Sequence, residues 1–333
     1  MKYYRISCCA DYMFPMEIVY GHIIDTANNL CSFPFDFPCQ NEWGKSSARK
    51  SRLIIDSYPK LLNIKWISLT EYKIYSAEIS LNVERFDEIW KALSKDLDNV
   101  FERELIFGLG LEGKIVIWLS SPLKTLIVDT LKVKEDTNLV NVVEYNHLKG
   151  HCDNVLISYC NNINKNISLK TYNLRQVQYN YRYVISFGTF NDYRRDNEDI
   201  ITKFNYIDEM LSDGTCDKQH SNNLLNYHYA GKPLKIVLNW HIKKSEYTAY
   251  FWFDEEKTCL LFERFYGAHP DTKTDFIIRI DAEKKKYELS LFRQGLKEPQ
   301  IIPEDAYQLL VFKNKFENYR SDNYNQERGA WIW

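Results

Sequence analysis

Apolar and polar positions alternate in some stretches of this chain and recur at helical spacing in others. MEIVYGHII at 16–24, and Leu62, Ile64 and Trp66 within 61–68, keep a period of two, the pattern of half-buried strands. The same pattern predicts strands at 2–9, 71–81, 104–110, 114–120, 123–133 and 181–190. Two hairpins are predicted further on, pairing 234–241 with 246–253 and 275–281 with 286–293. Glu112-Gly113 supplies a tight turn, and Glu283-Lys284-Lys285 closes the last hairpin. The period changes after Asn82, a capping residue: Phe86, Ile89, Trp90 and Leu93 then share one face, predicting a helix over 83–98. Helices are also predicted over 195–211 (Ile201, Phe204, Ile207 and Leu211 on one face), over 255–266, and from Pro303 to about 318. Residues 25–50, with FPFDFP, and 212–232 read as long loops, and loops of that length are often functional. The Asn-rich stretch 138–180, with weak strand patterns such as VLISY, reads as a junction plus opening strands.

One pattern occurs twice. LLNIKWISLTEYKIYSAEISL at 61–81 is echoed by LKIVLNWHIKKSEYTAYFWF at 234–253. Spacing matches Trp66 to Trp240, Glu71-Tyr72 to Glu246-Tyr247, and Tyr75 to Tyr250. An amphipathic stretch follows each, carrying Phe86 and Trp90 in the first and Phe262 and Phe265 in the second. Such an echo marks a duplicated structural unit. Strands neighbour strands more often than they alternate with helices. The reading is therefore an α+β fold of two tandem related units, 1–137 and 138–333, each an antiparallel β-sheet packed with one or two helices.

Composition sharpens this picture. A chain of 333 residues that is 45% hydrophobic and 15% aromatic can bury one large core or two ordinary ones. Its 24 tyrosines and 8 tryptophans suit wet-edged cores and contact surfaces. The net charge is −2, and residues 1–140 hold 17 basic and 19 acidic side chains, so neither half suits a phosphate backbone and no nucleic-acid partner is expected. No apolar run approaches the roughly 18 residues that span a bilayer, so no membrane span is expected. MKYYRISCCADYMF lacks the apolar segment of an export signal. A cytoplasmic location is expected, or a periplasmic or lipid-anchored one if a leader precedes this sequence. The 8 cysteines form no compact framework and read as buried thiols.

No motif carries chemistry. Gly108 to Gly113 matches GxGxxG, but KIVIWL follows where dinucleotide binding needs a helix, so a hairpin is expected. Asp271 with Glu283 and Lys285 mimics a metal-nuclease pattern, yet the latter two fall at a charged turn. His147, His151, Cys152 and Cys160 lack the spacing of a standard zinc site. Glu71 and Glu246 both follow a Trp-bearing strand. A catalytic pair is conceivable, but a carboxylate accepting a turn amide is the better expectation, since each lies beside Tyr and no second titrating group. No cofactor, metal or catalytic residue is expected.

WISLTEYKIYSAEISL followed by GLGLEGKIVIWL resembles the core of domain-of-unknown-function family 2931, common in Bacteroides relatives and enterobacteria. YTAYFWFDEEK, RFYGAHPDTKTDFIIRID and NQERGAWIW resemble the second half of its long Bacteroides members. The resemblance carries no assigned chemistry. It implies a genetic neighbourhood of interbacterial toxins and type VI secretion, which suits an immunity protein. The expected function is thus non-catalytic binding of a protein partner, a cognate toxin, by occlusion. Phe33, Phe35, Trp43, Tyr227 and Tyr229 are the expected contact residues. The alternatives are a hydrolase using Glu71 or Glu246, or an envelope-associated structural protein.

Overall fold

The structure, a computed structural model, describes residues 3–11, 14–34, 43–45, 50–94, 103–136, 142–159, 174, 177–187, 203–220, 226–242, 245–281, 286–315 and 329–332. The fold is α+β and built mainly of strands. The chain divides into two compact units, Met1–Ile167 and Ser168–Trp333. No helix among the described residues is long and apolar enough to cross a membrane.

The first unit runs β1 (Tyr3–Ala10), β2 (Met16–Asp25), β3 (Leu30–Ser32), β4 (Ile54–Ile55), β5 (Pro59–Ser68), β6 (Lys73–Ser80), α1 (Val83–Ser94), β7 (Arg103–Leu109), β8 (Lys114–Ser120), β9 (Thr125–Lys132) and α2 (Val142–Tyr159). Strands β4, β1, β7, β8 and β9 lie side by side in that order, and β3, β2, β5 and β6 form another row. Neighbours are antiparallel except β1 and β7, which run parallel. That parallel pair joins segments far apart in the chain, so no local pattern announces it.

Helix α1 forms over Val83–Ser94 of the predicted 83–98, and 95–98 lie outside the described residues. The Asn82 side-chain oxygen accepts the Arg85 N–H at 2.9 Å, and Phe86, Ile89, Trp90 and Leu93 are buried. The Phe86 and Trp90 rings meet Tyr4 of β1 at 5.4 and 6.3 Å. Each large apolar side chain buried this way is worth about 1.5–3 kcal/mol. Arg103 closes the far end. It donates to the Trp90 carbonyl and to Ser94 Oγ, both at 2.9 Å, and its guanidinium lies 4.1 Å above the Trp90 ring. A cation at a helix C-terminus is favoured by the helix dipole.

The stretch VLISY forms the last turns of α2, not a strand. Apolar side chains are scattered around this helix, so period-based reading misses it. It is held by Cys152 and Val155 against Ile67, Leu69 and Ile74 of the β5–β6 hairpin, and by the Tyr72 hydroxyl, which donates to Asp153 at 2.9 Å.

The second unit runs β10 (Tyr179–Phe187), β11 (Lys203–Leu211), β12 (Cys216–His220), β13 (His228–Ala230), β14 (Pro233–Ile242), β15 (Ser245–Phe253), α3 (Glu255–Tyr266), β16 (Thr274–Asp281), β17 (Lys286–Arg293), β18 (Gln300–Ile301), β19 (Tyr307–Lys315) and β20 (Gly329–Ile332). One row reads β13, β10, β16, β17, β18, with β10 and β16 parallel; the other reads β12, β11, β14, β15, β19, β20. Tyr179, Tyr181 and Tyr183 on β10, Phe262 on α3 and Phe276 on β16 build an aromatic core of tilted and edge-on rings.

Three expectations are corrected here. Residues 203–211 are strand, not helix (188–202 lie outside the described residues). Ile207 and Leu211, four apart, fit one face of a helix and one face of a strand equally. Glu209 is only 2% exposed, so the true period is two. Past Pro303 there is one 3-10 turn, Glu304–Ala306, and then β19, whose pairing with β15 overrides local propensity. The supposed loop 212–232 holds β12 and β13, with 221–225 outside the described residues.

Candidate functional site

The expected contact aromatics separate into two groups. Phe33 is a core residue: its ring packs on Phe107 with centroids 4.9 Å apart, and it closes over Gly21, where a Cβ would meet it at 2.8 Å. Trp43 stands edge-on to Trp118 at 5.1 Å and helps cover the cluster of Cys9, Ile106 and Val116. Phe35 lies outside the described residues.

Tyr227 and Tyr229 differ from these. They flank His228 at the start of β13, the strand at the end of its row, and alternate with it. His228 faces inward, its ring 5.4 Å from that of Tyr181. Tyr229 is 54% exposed, and its hydrogen bond to Asp271 raises its hydroxyl pKa above the usual tyrosine value. The Tyr227 hydroxyl donates to Asp275 at 2.9 Å, and the same carboxylate takes Arg182 Nε at 2.7 Å. The Arg182 guanidinium lies 4.7 Å from the Tyr227 ring centre and the Lys273 ammonium 5.4 Å from it. Arg182 is held firmly: the Asp275 hydrogen bond raises its pKa further. The result is a tyrosine–arginine–lysine surface on a sheet edge. Sequence reading found the tyrosines but missed Arg182 on β10, Asp275 on β16 and Lys273 just before β16, because they are remote in the chain.

Beneath this surface lies a buried polar cluster. The Tyr183 hydroxyl donates to the Glu209 carboxylate, and His228 Nε2 stands 4.0 Å from Glu209 Oε1. Burial and the nearby Glu209 push both the Tyr181 and Tyr183 hydroxyls well above the ordinary tyrosine range. Both phenols therefore stay protonated and act as donors or packing groups. The Tyr181 hydroxyl donates to the Gly231 carbonyl at 2.8 Å. Lys232 is fully buried, and its ammonium donates to the Leu174 and Val177 carbonyls. A buried polar residue in an alternating strand was the signal available in the sequence, and the helical reading of 195–211 hid it.

Glu71 and Glu246 each do structural work. Glu71 accepts the Glu112 N–H at 3.0 Å and the Tyr75 hydroxyl at 3.3 Å. Glu112 and Gly113 both have positive φ (55° and 72°), so the carboxylate fixes a strained turn. Burial, then Glu71, raises the Tyr75 hydroxyl pKa, while burial and Lys132 bring Lys114 down to about 8. Glu246 accepts the Asn239 amide at 2.9 Å. The two glutamates are not equivalent. Trp66 pairs across its hairpin with Tyr75, and Trp240 with Tyr247, so the spacing match of Tyr75 to Tyr250 slips out of register. Gly108 to Gly113 is the β7–β8 hairpin, followed by strand. His151 meets Glu17 at 2.6 Å; Cys160, Glu283 and Lys285 lie outside the described residues. Among the described residues no group of three or more His, Cys, Asp or Glu side chains is placed to hold a metal ion.

A family model described as Protein of unknown function (DUF2931) matches residues 2–205. The chain belongs to the DUF2931 family. The match covers β1 to β9 and α1 and α2 whole, takes in β10, and stops inside β11. No curated protein and no solved structure matches the chain.

Proposed function

We propose that this DUF2931 protein is a non-catalytic binding protein, an immunity protein that occludes a cognate type VI secretion toxin in the cytoplasm. The observation that supports the binding reading is the edge surface of Tyr227, Tyr229, Arg182 and Lys273. Tyrosine and arginine dominate the residues that carry binding energy in protein interfaces, because they bury large area at low conformational cost and bring directed hydrogen bonds. Here Arg182 is already fixed by Asp275, so little side-chain entropy remains to be lost on binding.

The test is co-expression of the full chain with the product of each neighbouring open reading frame. One product is expected to be toxic alone, harmless with this protein, and recovered in a stoichiometric complex with it. If every neighbouring product is harmless alone, or stays toxic and uncomplexed, the reading fails.

A further inference from the structure

We infer that residues 179–301 repeat the unit formed by residues 3–132, which lies within the DUF2931 match to residues 2–205. Strands β1 to β9 with α1 recur as β10 to β18 with α3, in the same two rows and with the same single parallel pair. Both helices have 12 residues and a side-chain cap: Asn82 accepts from Arg85, and Asp254 from Lys257.

Row order alone is weak, since sheets have few good topologies. The registers are stronger. Tyr4 faces Ile54 and Arg103 as Tyr181 faces His228 and Thr274. The β2–β5 ladder is irregular between Ile18 and Tyr20 and between Ile24 and Asp25. The β11–β14 ladder is irregular between Phe204 and Tyr206 and between Met210 and Leu211, the same places, and each partner strand opens on a proline, Pro59 or Pro233. Bulges are individually placed features of a ladder.

The turn beyond those bulges decides the matter. In the first copy, the Asp25 N–H donates to the Asn29 carbonyl at 3.0 Å and the Thr26 N–H to the Tyr58 carbonyl at 2.8 Å. In the second, the Leu211 N–H donates to the Thr215 carbonyl at 2.9 Å and the Ser212 N–H to the Lys232 carbonyl at 2.8 Å. The Tyr58 N–H donates to the Thr26 hydroxyl at 3.1 Å, and the Lys232 N–H to the Ser212 hydroxyl at the same distance. Asn28 (φ 62°) and Gly214 (φ 83°) share the left-handed corner. A carboxylate fills both turns but enters from different positions. Asp25 takes the Ser57 hydroxyl at 2.7 Å and the Asn29 N–H at 2.8 Å. Asp213, two places further along, takes the Gly231 N–H at 3.1 Å and the Thr215 N–H at 3.0 Å. A Cβ on Gly231 would lie 2.8 Å from the Asp213 carboxyl carbon. Serine with Asp25 and glycine with Asp213 are two solutions of one site.

The test is a graft in the full chain. Residues 25–30, DTANNL, are replaced by LSDGTC from 211–216, with and without Ser57→Gly. The graft alone is expected to lower the melting temperature by about 5 °C or more, and Ser57→Gly within it to recover at least half of that loss. In the native chain Ser57→Gly only lowers it. The reciprocal graft, DTANNL at 211–216, is expected to be rescued by Gly231→Ser in the same way. If Ser57→Gly lowers the melting temperature in the graft as it does in the native chain, or Gly231→Ser fails to rescue its graft, the two segments are not copies.

Discussion

Ile6, Ile23 and Ile54 are buried in the first unit; under the proposed copy relation their places in the second are held by Tyr183, Glu209 and His228. The β2–β5 and β11–β14 ladders each carry two register shifts, between Ile18 and Tyr20 and Ile24 and Asp25 in one and between Phe204 and Tyr206 and Met210 and Leu211 in the other. The three isoleucines contribute through dispersion and the exclusion of water, so any side chain of about the right volume serves. In the second, a buried carboxylate has to be hydrogen-bonded, so Tyr183 and Glu209 are fixed relative to one another. The difference teaches that this scaffold tolerates either kind of interior, and that the second couples its interior to its surface. His228 reaches Glu209 on one side, while its neighbours Tyr227 and Tyr229 form the exposed edge on the other.

The largest expected effect breaks the comparison outright. Ile23→Glu puts an acid at the place of Glu209 with isoleucines where Tyr183 and His228 would be. It should cost roughly 3–5 kcal/mol, read as a fall in the urea midpoint of the first unit's unfolding, because the buried acid has no donor. Next, Tyr183→Phe removes the donor while keeping the ring. A loss of about 1–3 kcal/mol is expected, against about 1 kcal/mol for Ile6→Val at the matching place.

Acid should act on the first unit through the turn carboxylate. Burial alone would raise the Asp25 pKa, but hydrogen bonds from Ser57, Asn29 and Ala27 outweigh it and hold the carboxyl below its usual value. A lowered folded-state pKa contributes stability that is full above the unfolded value near 4 and is lost as pH falls through the folded one. Thermal melts between pH 6 and 3 should therefore show a decline below about pH 4 that Asp25→Asn flattens. A melt that falls equally in Asp25→Asn contradicts this. The smallest expected stability effect is at the exposed edge: Tyr229→Ala should shift unfolding by less than about 0.5 kcal/mol.

Much of the scaffold was legible in the sequence, and the failures have physical causes. Helix α3 is found at its true bounds because Asp254 caps it and its apolar face is continuous. The hairpins are found because alternation survives wherever one face is buried. Strand β11 was lost because Ile207 and Leu211 fit one face of a helix and one face of a strand equally, and β19 because Pro303 in front of it imitates a helix start. Both parallel pairs depend on contacts between distant segments. The edge surface was half legible: Tyr227 and Tyr229 stand out in a polar stretch, whereas Arg182 and Lys273 join them only through the fold.

Affinity is where the two units should part most clearly. The full chain is titrated calorimetrically against the toxin that co-expression identifies. Tyr227→Ala with Tyr229→Ala is expected to weaken binding by at least about tenfold, while Arg5→Ala, at the first unit's counterpart of Arg182, changes it by less than about twofold. Loss of binding in Arg5→Ala with the double tyrosine variant unchanged would contradict the account.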